Sequence, residues 1–203
     1  LLTGADAVPV YEYFSDRMAA GYVYRGFSDF EPGKPVAEYK TGDRITVEAL
    51  SHLENSDSDV PVDSEGAVIE DKVLIRDGIA ENYYGSRQFS QYIGLENSSV
   101  VYNFRFSGGT AAEAELREGD WLELVEFSDF QVDSVAGDVA GEIRLGYLHR
   151  GGATVPVTGG SLSGNLTDAI PDMRFTKEEK QYNTVIIPSV TRLKGLRITG
   201  AAE

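Results

Sequence analysis

A chain of 203 residues, 41% of them hydrophobic, carries enough apolar side chain for one substantial core. Its 18 Lys+Arg against 33 Asp+Glu give a formal net charge of -15, which repels a phosphate backbone and argues against direct nucleic-acid binding. No apolar run approaches the roughly 20 residues of a membrane-crossing helix, and the absence of cysteine excludes disulfides and thiolate ligands, a composition that suits a reducing cytoplasm.

The chain starts at Leu1 rather than Met and reads as an excised domain or a processed product. Asp6 is placed to cap a short helix over residues 6–18, where Val10, Phe14 and Met18 repeat every four positions and Tyr11 and Tyr13 flank the stripe. Residues 44–50 alternate Ile45, Val47 and Ala49 against Arg44, Thr46 and Glu48, the pattern of a half-buried strand. Residues 54–65 carry Glu54, Asp57, Asp59, Asp63 and Glu65 and read as a solvated, mobile loop; Pro61 and the missing glycine spoil a calcium loop starting at Asp57. Strands at 72–75 and 79–84 flank Asp77-Gly78, a two-residue hairpin turn.

A helix of about two turns is expected over 86–93, closed by Gly94. After a strand at 100–106, Thr110-Ala111-Ala112-Glu113 has the form of a capping box that opens a third helix, which Gly119 ends. Further strands fall at 121–127, 130–135, 142–149, 154–157, 161–166, 184–187 and 193–199. So many edges need closure or a second layer. The expected fold is α+β and mainly β: one barrel-like or sandwich antiparallel domain over 1–203 with two or three short helices.

Chemistry-bearing patterns are scarce. A hydrolytic zinc site wants three protein ligands, commonly two histidines one helical turn apart, whereas this chain has only His52 and His149, far apart in sequence. No Gly-x-Ser-x-Gly elbow accompanies either histidine, so a Ser-His-acid triad has no support. Gly108-Gly109, Gly151-Gly152 and Gly159-Gly160 lack phosphate-loop spacing and read as turns. The sequons at Asn97 and Asn165 matter only in a secreted protein. Trp121, Tyr83, Tyr84, Tyr102 and Tyr147 are better read as core or cross-strand aromatics than as a substrate-stacking surface. No catalytic, cofactor-binding or metal residue is assigned, and no cofactor is expected.

From Asp77-Gly78 onward a series of strings recurs in order: Tyr84-Gly85-Ser86-Arg87 with Tyr92-Ile93-Gly94, then Gly108-Gly109, then Gly137-Asp138 leading to Gly146-Tyr147. Pro156-Val157 follows, then Ser161-Leu162-Ser163-Gly164-Asn165-Leu166, Ile187-Pro188-Ser189-Val190 and Leu196-Arg197-Ile198-Thr199-Gly200. Together these resemble the C-terminal domain of the TldD/PmbA family, described as modulators of DNA gyrase and as peptidases that mature or degrade peptides. The resemblance implies a dimer of a zinc-binding TldD-type half and a metal-free TldE/PmbA-type half, each with an N-terminal α/β domain that this chain lacks.

In the zinc-binding half a cysteine ligand is expected before the final strands. The matching region here, 173–183, has no cysteine, and Gly-Asn-Leu followed by Thr167-Asp168 also looks like the PmbA type. Residues 139–145 depart from the Phe-Ser-Arg-Gly-type run usual after Gly-Asp. The resemblance therefore implies a non-catalytic, metal-free PmbA/TldE-like subunit that pairs with a TldD-type zinc peptidase, or with itself as a dimer, and meets an extended peptide substrate in the cytoplasm. The alternative is a β-rich binding or assembly module with no peptidase partner.

Overall fold

The apolar alternation builds two mixed sheets that share one core, a sandwich-like arrangement and not a closed barrel. The structure is a computed structural model that describes residues 1–96 and 98–200. Its strands are β1 (Leu2–Thr3), β2 (Thr46–Leu50), β3 (Lys72–Arg76), β4 (Ile79–Ala80), β5 (Asn103–Ser107), β6 (Trp121–Val132) and β7 (Asp138–Arg150), followed by β8 (Ala153–Val157), β9 (Ser161–Asn165), β10 (Arg174–Phe175), β11 (Glu179–Tyr182), β12 (Val185–Pro188), β13 (Val190–Arg192) and β14 (Arg197–Thr199). The helices are α1 (Val8–Arg17), α2 (Ala20–Tyr24), α3 (Arg87–Tyr92), α4 (Glu113–Leu116) and α5 (Leu166–Ala169).

One sheet runs β10-β13-β1-β6-β7-β9-β14, with β8 paired to the second half of β7; the other runs β11-β12-β5-β2-β3-β4. Most pairs are antiparallel. The exceptions are β1 beside β6 and β12 beside β5, which are parallel and bring distant parts of the chain together.

The core follows from the sequence patterns. Val10, Tyr11, Phe14 and Met18 on the α1 stripe are fully buried, as are Ile45, Val47 and Ala49 on and beside β2. They meet Phe106 and Ile187 from one sheet and Leu124, Ile143 and Leu162 from the other. The Tyr11 ring lies 5.6 Å from Phe106 and 6.1 Å from Phe175, tilted or edge-on. Burying each such side chain stabilises by about 1.5–3 kcal/mol. Among the described residues no helix is long and apolar enough to cross a membrane.

Several expected elements change in detail, each because a longer-range partner wins. Asp6 does not cap α1: its Oδ2 accepts the Phe127 N–H at 2.7 Å and fixes the helix start to β6. Pro9 occupies the first turn of α1, where its missing N–H costs nothing. The capping box at α4 is not formed, since the Thr110 hydroxyl donates to Asp43 at 2.6 Å and Glu113 accepts from Arg117 at 2.9 Å; α4 is a single turn. The strands expected at 121–127 and 130–135 are one strand, β6, which ends at Val132 and whose register with β7 shifts between Leu124 and Asp129 instead of breaking; residues 134–136 form the turn to β7.

The hairpin at Asp77-Gly78 is present, with both residues at positive φ as a type I′ turn requires. The acidic stretch 54–65 is tied to the fold through Asp59 and Asp63. Asp63 is buried, and its carboxylate accepts the N–H groups of Glu65 and Ala67 at 2.9 Å and of Val100 at 2.8 Å. Burial opposes its charge, yet these donors hold the carboxyl below its usual range. Asn165 caps α5 by accepting from the Thr167 N–H at 2.9 Å. Asn97, the other sequon asparagine, lies outside the described residues.

Candidate functional site

The two histidines belong to separate structures. His52 follows β2, is largely exposed and pairs with Asp59 at 2.7 Å. His149 sits on β7, its ring stacked on Trp121 at 5.0 Å and 11°, with Nδ1 bonded to the Thr154 hydroxyl at 2.7 Å. Arg117 lies 5.0 Å from the Trp121 ring and forms two hydrogen bonds to Glu123, at 2.7 and 2.8 Å. Trp121 is thus held in a stack of its own neighbours. Among the described residues no three His, Asp or Glu side chains gather closely enough to hold a metal ion.

The tyrosines are dispersed as well. The Tyr83 hydroxyl donates to the Phe30 carbonyl at 2.6 Å, Tyr84 is buried against Phe104, and the Tyr102 hydroxyl accepts from the Ser64 N–H at 3.2 Å. Only Tyr147 stands exposed on its strand. They form no common stacking platform.

The sheet margins distinguish themselves more sharply. An edge strand offers unpaired N–H and C=O groups to any extended chain, and natural sheets cover or blunt such edges. Residues 33–36 cover β4, with the Gly33 N–H donating to Ala80 and the Ala80 N–H to Lys34. Asp43 covers β10: its carboxylate accepts the outward Phe175 N–H at 2.9 Å. On β11 the charged Lys180 shares the core-facing side with Tyr182, an inward charge that discourages pairing. On β8 the device is a proline. Gly151 and Gly152 at positive φ close a two-residue turn between Arg150 and Ala153, so residues 153, 155 and 157 bond to β7 and Thr154 and Pro156 face outward. Pro156 has no N–H to offer.

The margin at β14 has no chain covering it among the described residues; what blunts it is its length of three residues and the charge of Arg197. The Leu166 N–H donates to the Gly137 carbonyl and the Ile143 N–H to the Gly160 carbonyl, so even-numbered residues of β9 face β7 and odd-numbered ones face β14. Arg197 and Thr199, opposite Ser163 and Ser161, therefore carry the ladder. The N–H and C=O of Ile198 point away from the sheet.

The Ile198 side chain is 45% exposed and lies on the same face as Leu162. On that face is a groove of about 230 Å³ lined by Leu122, Leu124, Leu162, Leu193, Leu196 and Ile198, with Arg192 and Lys194 also in its wall. Among the described residues, none of Arg192, Lys194 and Arg197 lies in ion-pair contact with a carboxylate. Asp120, the carboxylate in the same wall, accepts the Gly151 N–H at 3.0 Å and faces Arg150 at 3.9 Å. An apolar groove with free cations beside an open strand edge can hold an extended segment of opposite charge. Periodicity in 193–199 gave the strand but not its exposed margin, which depends on which neighbour the ladder uses.

Comparison with known proteins agrees with this architecture. The family model for the PmbA/TldA metallopeptidase C-terminal domain matches residues 5–200. "Metalloprotease PmbA" of Escherichia coli O157:H7 is 27% identical over 197 residues, which are 91% of this chain and 43% of that protein. "Metalloprotease PmbA homolog" of Haemophilus influenzae is 22% identical over 204 residues, 96% of this chain and 44% of that protein. The chain thus spans less than half the length of these relatives. The crystal structure of TldE from Thermococcus kodakarensis superposes with a TM-score of 0.77 at 14% identity, over 98% of this chain and 49% of that one, a likeness of fold. The chain belongs to the PmbA/TldD metallopeptidase family and corresponds to its C-terminal domain.

Proposed function

We propose that this domain is part of a metal-free, non-catalytic PmbA/TldE-type subunit, which pairs with a TldD-type zinc peptidase and helps hold peptides during maturation or degradation. The observation that carries this reading is the content of residues 173–183, where the resemblance puts a cysteine ligand in the zinc-binding half. Here Met173, Phe175 and Thr176 are buried in the fold and Glu179–Tyr182 forms β11, with no cysteine or histidine in the segment. The Escherichia coli relative carries the word metalloprotease in its name. Since this chain spans less than half of that protein, the name does not place catalytic residues in this domain.

The test uses protein expressed from the full reading frame that encodes this chain. Bound metal is measured by mass spectrometry, and cleavage of unstructured peptides is assayed with and without a TldD-type partner. No stoichiometric zinc alone, together with cleavage that appears on pairing, is expected. Cleavage by the unpaired protein, or none after pairing, overturns the proposal. The second outcome leaves a β-rich binding module.

A further inference from the structure

We infer that the edge of β14 and the groove beside it form a binding site for an extended acidic peptide segment in which apolar and acidic residues alternate. This inference rests on the peptide-holding part of the function proposed above. Three independent features of the same place support it. The first is the open ladder at Ile198, whose N–H and C=O face outward, whereas β4 and β10 are covered by chain, β8 is blocked by Pro156 and β11 is opposed by Lys180.

The second is shape. A chain pairing with β14 sends alternate side chains to the Leu162 face, because successive side chains on a strand point to opposite sides. There the groove of about 230 Å³ between Leu122, Leu196 and Ile198 receives them. The third is charge. Arg192, Lys194 and Arg197 lie within six residues that contain no acid, in a chain whose net charge is -15. Arg192 and Lys194 stand in the groove wall, whereas Arg197, next to Ile198, lies on the opposite face, where the acidic side chains of an alternating ligand point. Cations with no ion-pair partner draw a carboxylate-bearing ligand and disfavour a basic one.

A second copy of the chain fits less well than a peptide. β14 has three residues and exposes the pairing groups of one of them, whereas a stable protein interface buries about 1,200–2,000 Å². The site is of a size for a short strand, with main-chain bonds supplying affinity and the groove supplying choice.

The test measures fluorescence anisotropy of the labelled heptapeptide Glu-Val-Glu-Leu-Glu-Val-Glu with protein from the full reading frame. Its controls are the counterpart with Lys for every Glu and a version N-methylated at alternate residues. The protein variants are Arg197→Glu, on the face that receives the acidic side chains, and separately Ile198→Pro, each checked by circular dichroism and thermal melting. Saturable binding is expected for the acidic peptide, weakened at least about tenfold (1.4 kcal/mol) by the Lys exchange, by N-methylation and by the charge reversal. N-methylation removes the ladder bond without touching the protein, so it remains informative should Ile198→Pro unfold.

Absence of saturable binding overturns the inference, as do equal affinities for the acidic and basic peptides or for the N-methylated and plain ones. Self-association that the charge reversal abolishes assigns the groove to a second copy and also overturns it. Peptide cleavage on pairing without groove binding removes this site and leaves the subunit proposal standing.

Discussion

The hydroxyls of Tyr11 on α1 and Thr191 on β13 lie 2.5 Å apart, both buried, and join positions 180 apart in the sequence. Burial pushes the Tyr11 phenol far above its ordinary ionisation range, with the Thr191 hydrogen bond opposing. Tyr11→Phe strands the Thr191 hydroxyl in the core and is expected to cost about 1–3 kcal/mol. Thr191→Val alone strands the phenol. The double variant removes both polar groups and should recover much of the loss, which chemical denaturation at constant m-value reads directly.

Asp43 is the corresponding polar tie at β10. It accepts from the Thr110 hydroxyl at 2.6 Å and from the Phe175 N–H at 2.9 Å, with Arg174 at 3.9 Å. Asp43→Ala leaves two donors unpaired and is expected to destabilise by about 3 kcal/mol. Asp43→Asn should keep more than half of that, since an amide can accept from Phe175 and donate to Thr110. An alanine variant as stable as the parent would show that water replaces the carboxylate.

Two carboxylates predict opposite pH responses. Hydrogen bonding from Arg117 holds Glu123 below its ordinary value of 4.5, against the effect of burial. The folded state then binds fewer protons than the unfolded one, so this contribution is whole above about pH 4.5 and fades as pH falls. Glu123→Gln should cost about 1 kcal/mol at pH 7, and its gap to the parent should narrow below pH 4.5. Burial raises Asp16 above its ordinary 3.8, with the Ser134 hydrogen bond opposing. Its contribution is present at low pH and is lost as pH rises above 3.8. The stability of Asp16→Asn relative to the parent should therefore improve as pH rises from 3 to 7, which denaturation curves at each pH read.

The guarded margins can be unguarded. Pro156→Val restores an outward N–H on β8, and Lys180→Ile removes the inward charge on β11. Pro156→Val is expected to strengthen self-association about tenfold, the effect of one added main-chain bond of about 1.4 kcal/mol, and Lys180→Ile to strengthen it by removing the charge that opposes pairing. Sedimentation velocity at increasing concentration reads this. Unchanged sedimentation of both would mean that other features keep these edges single.

Much of the β framework was legible because burial in β2 and in the first half of β7 follows alternation of two, and because Asp77-Gly78 specifies its own turn. The α1 stripe was equally legible. What escaped were elements whose existence depends on partners: β1, β10 and β13 have two or three residues each and are strands only because each lies beside another. The failed capping box has the same origin, because Thr110 found a buried carboxylate from a distant loop more compelling than its own helix. The candidate groove combines Leu122, Leu162 and Ile198 from three strands, a conjunction that no window of sequence contains.

The placement of β12 parallel to β5, and of β1 parallel to β6 and antiparallel to β13, has a consequence for synthesis. Strand β5 leaves the ribosome with one flank served by β2, and its other flank waits for residues near 185, several seconds later at about 5–20 residues per second. Leu2 likewise waits for Thr191. A chain released before β12 is therefore not a smaller version of this domain but a collapsed intermediate with an exposed apolar seam, the kind of species that chaperones and proteases recognise.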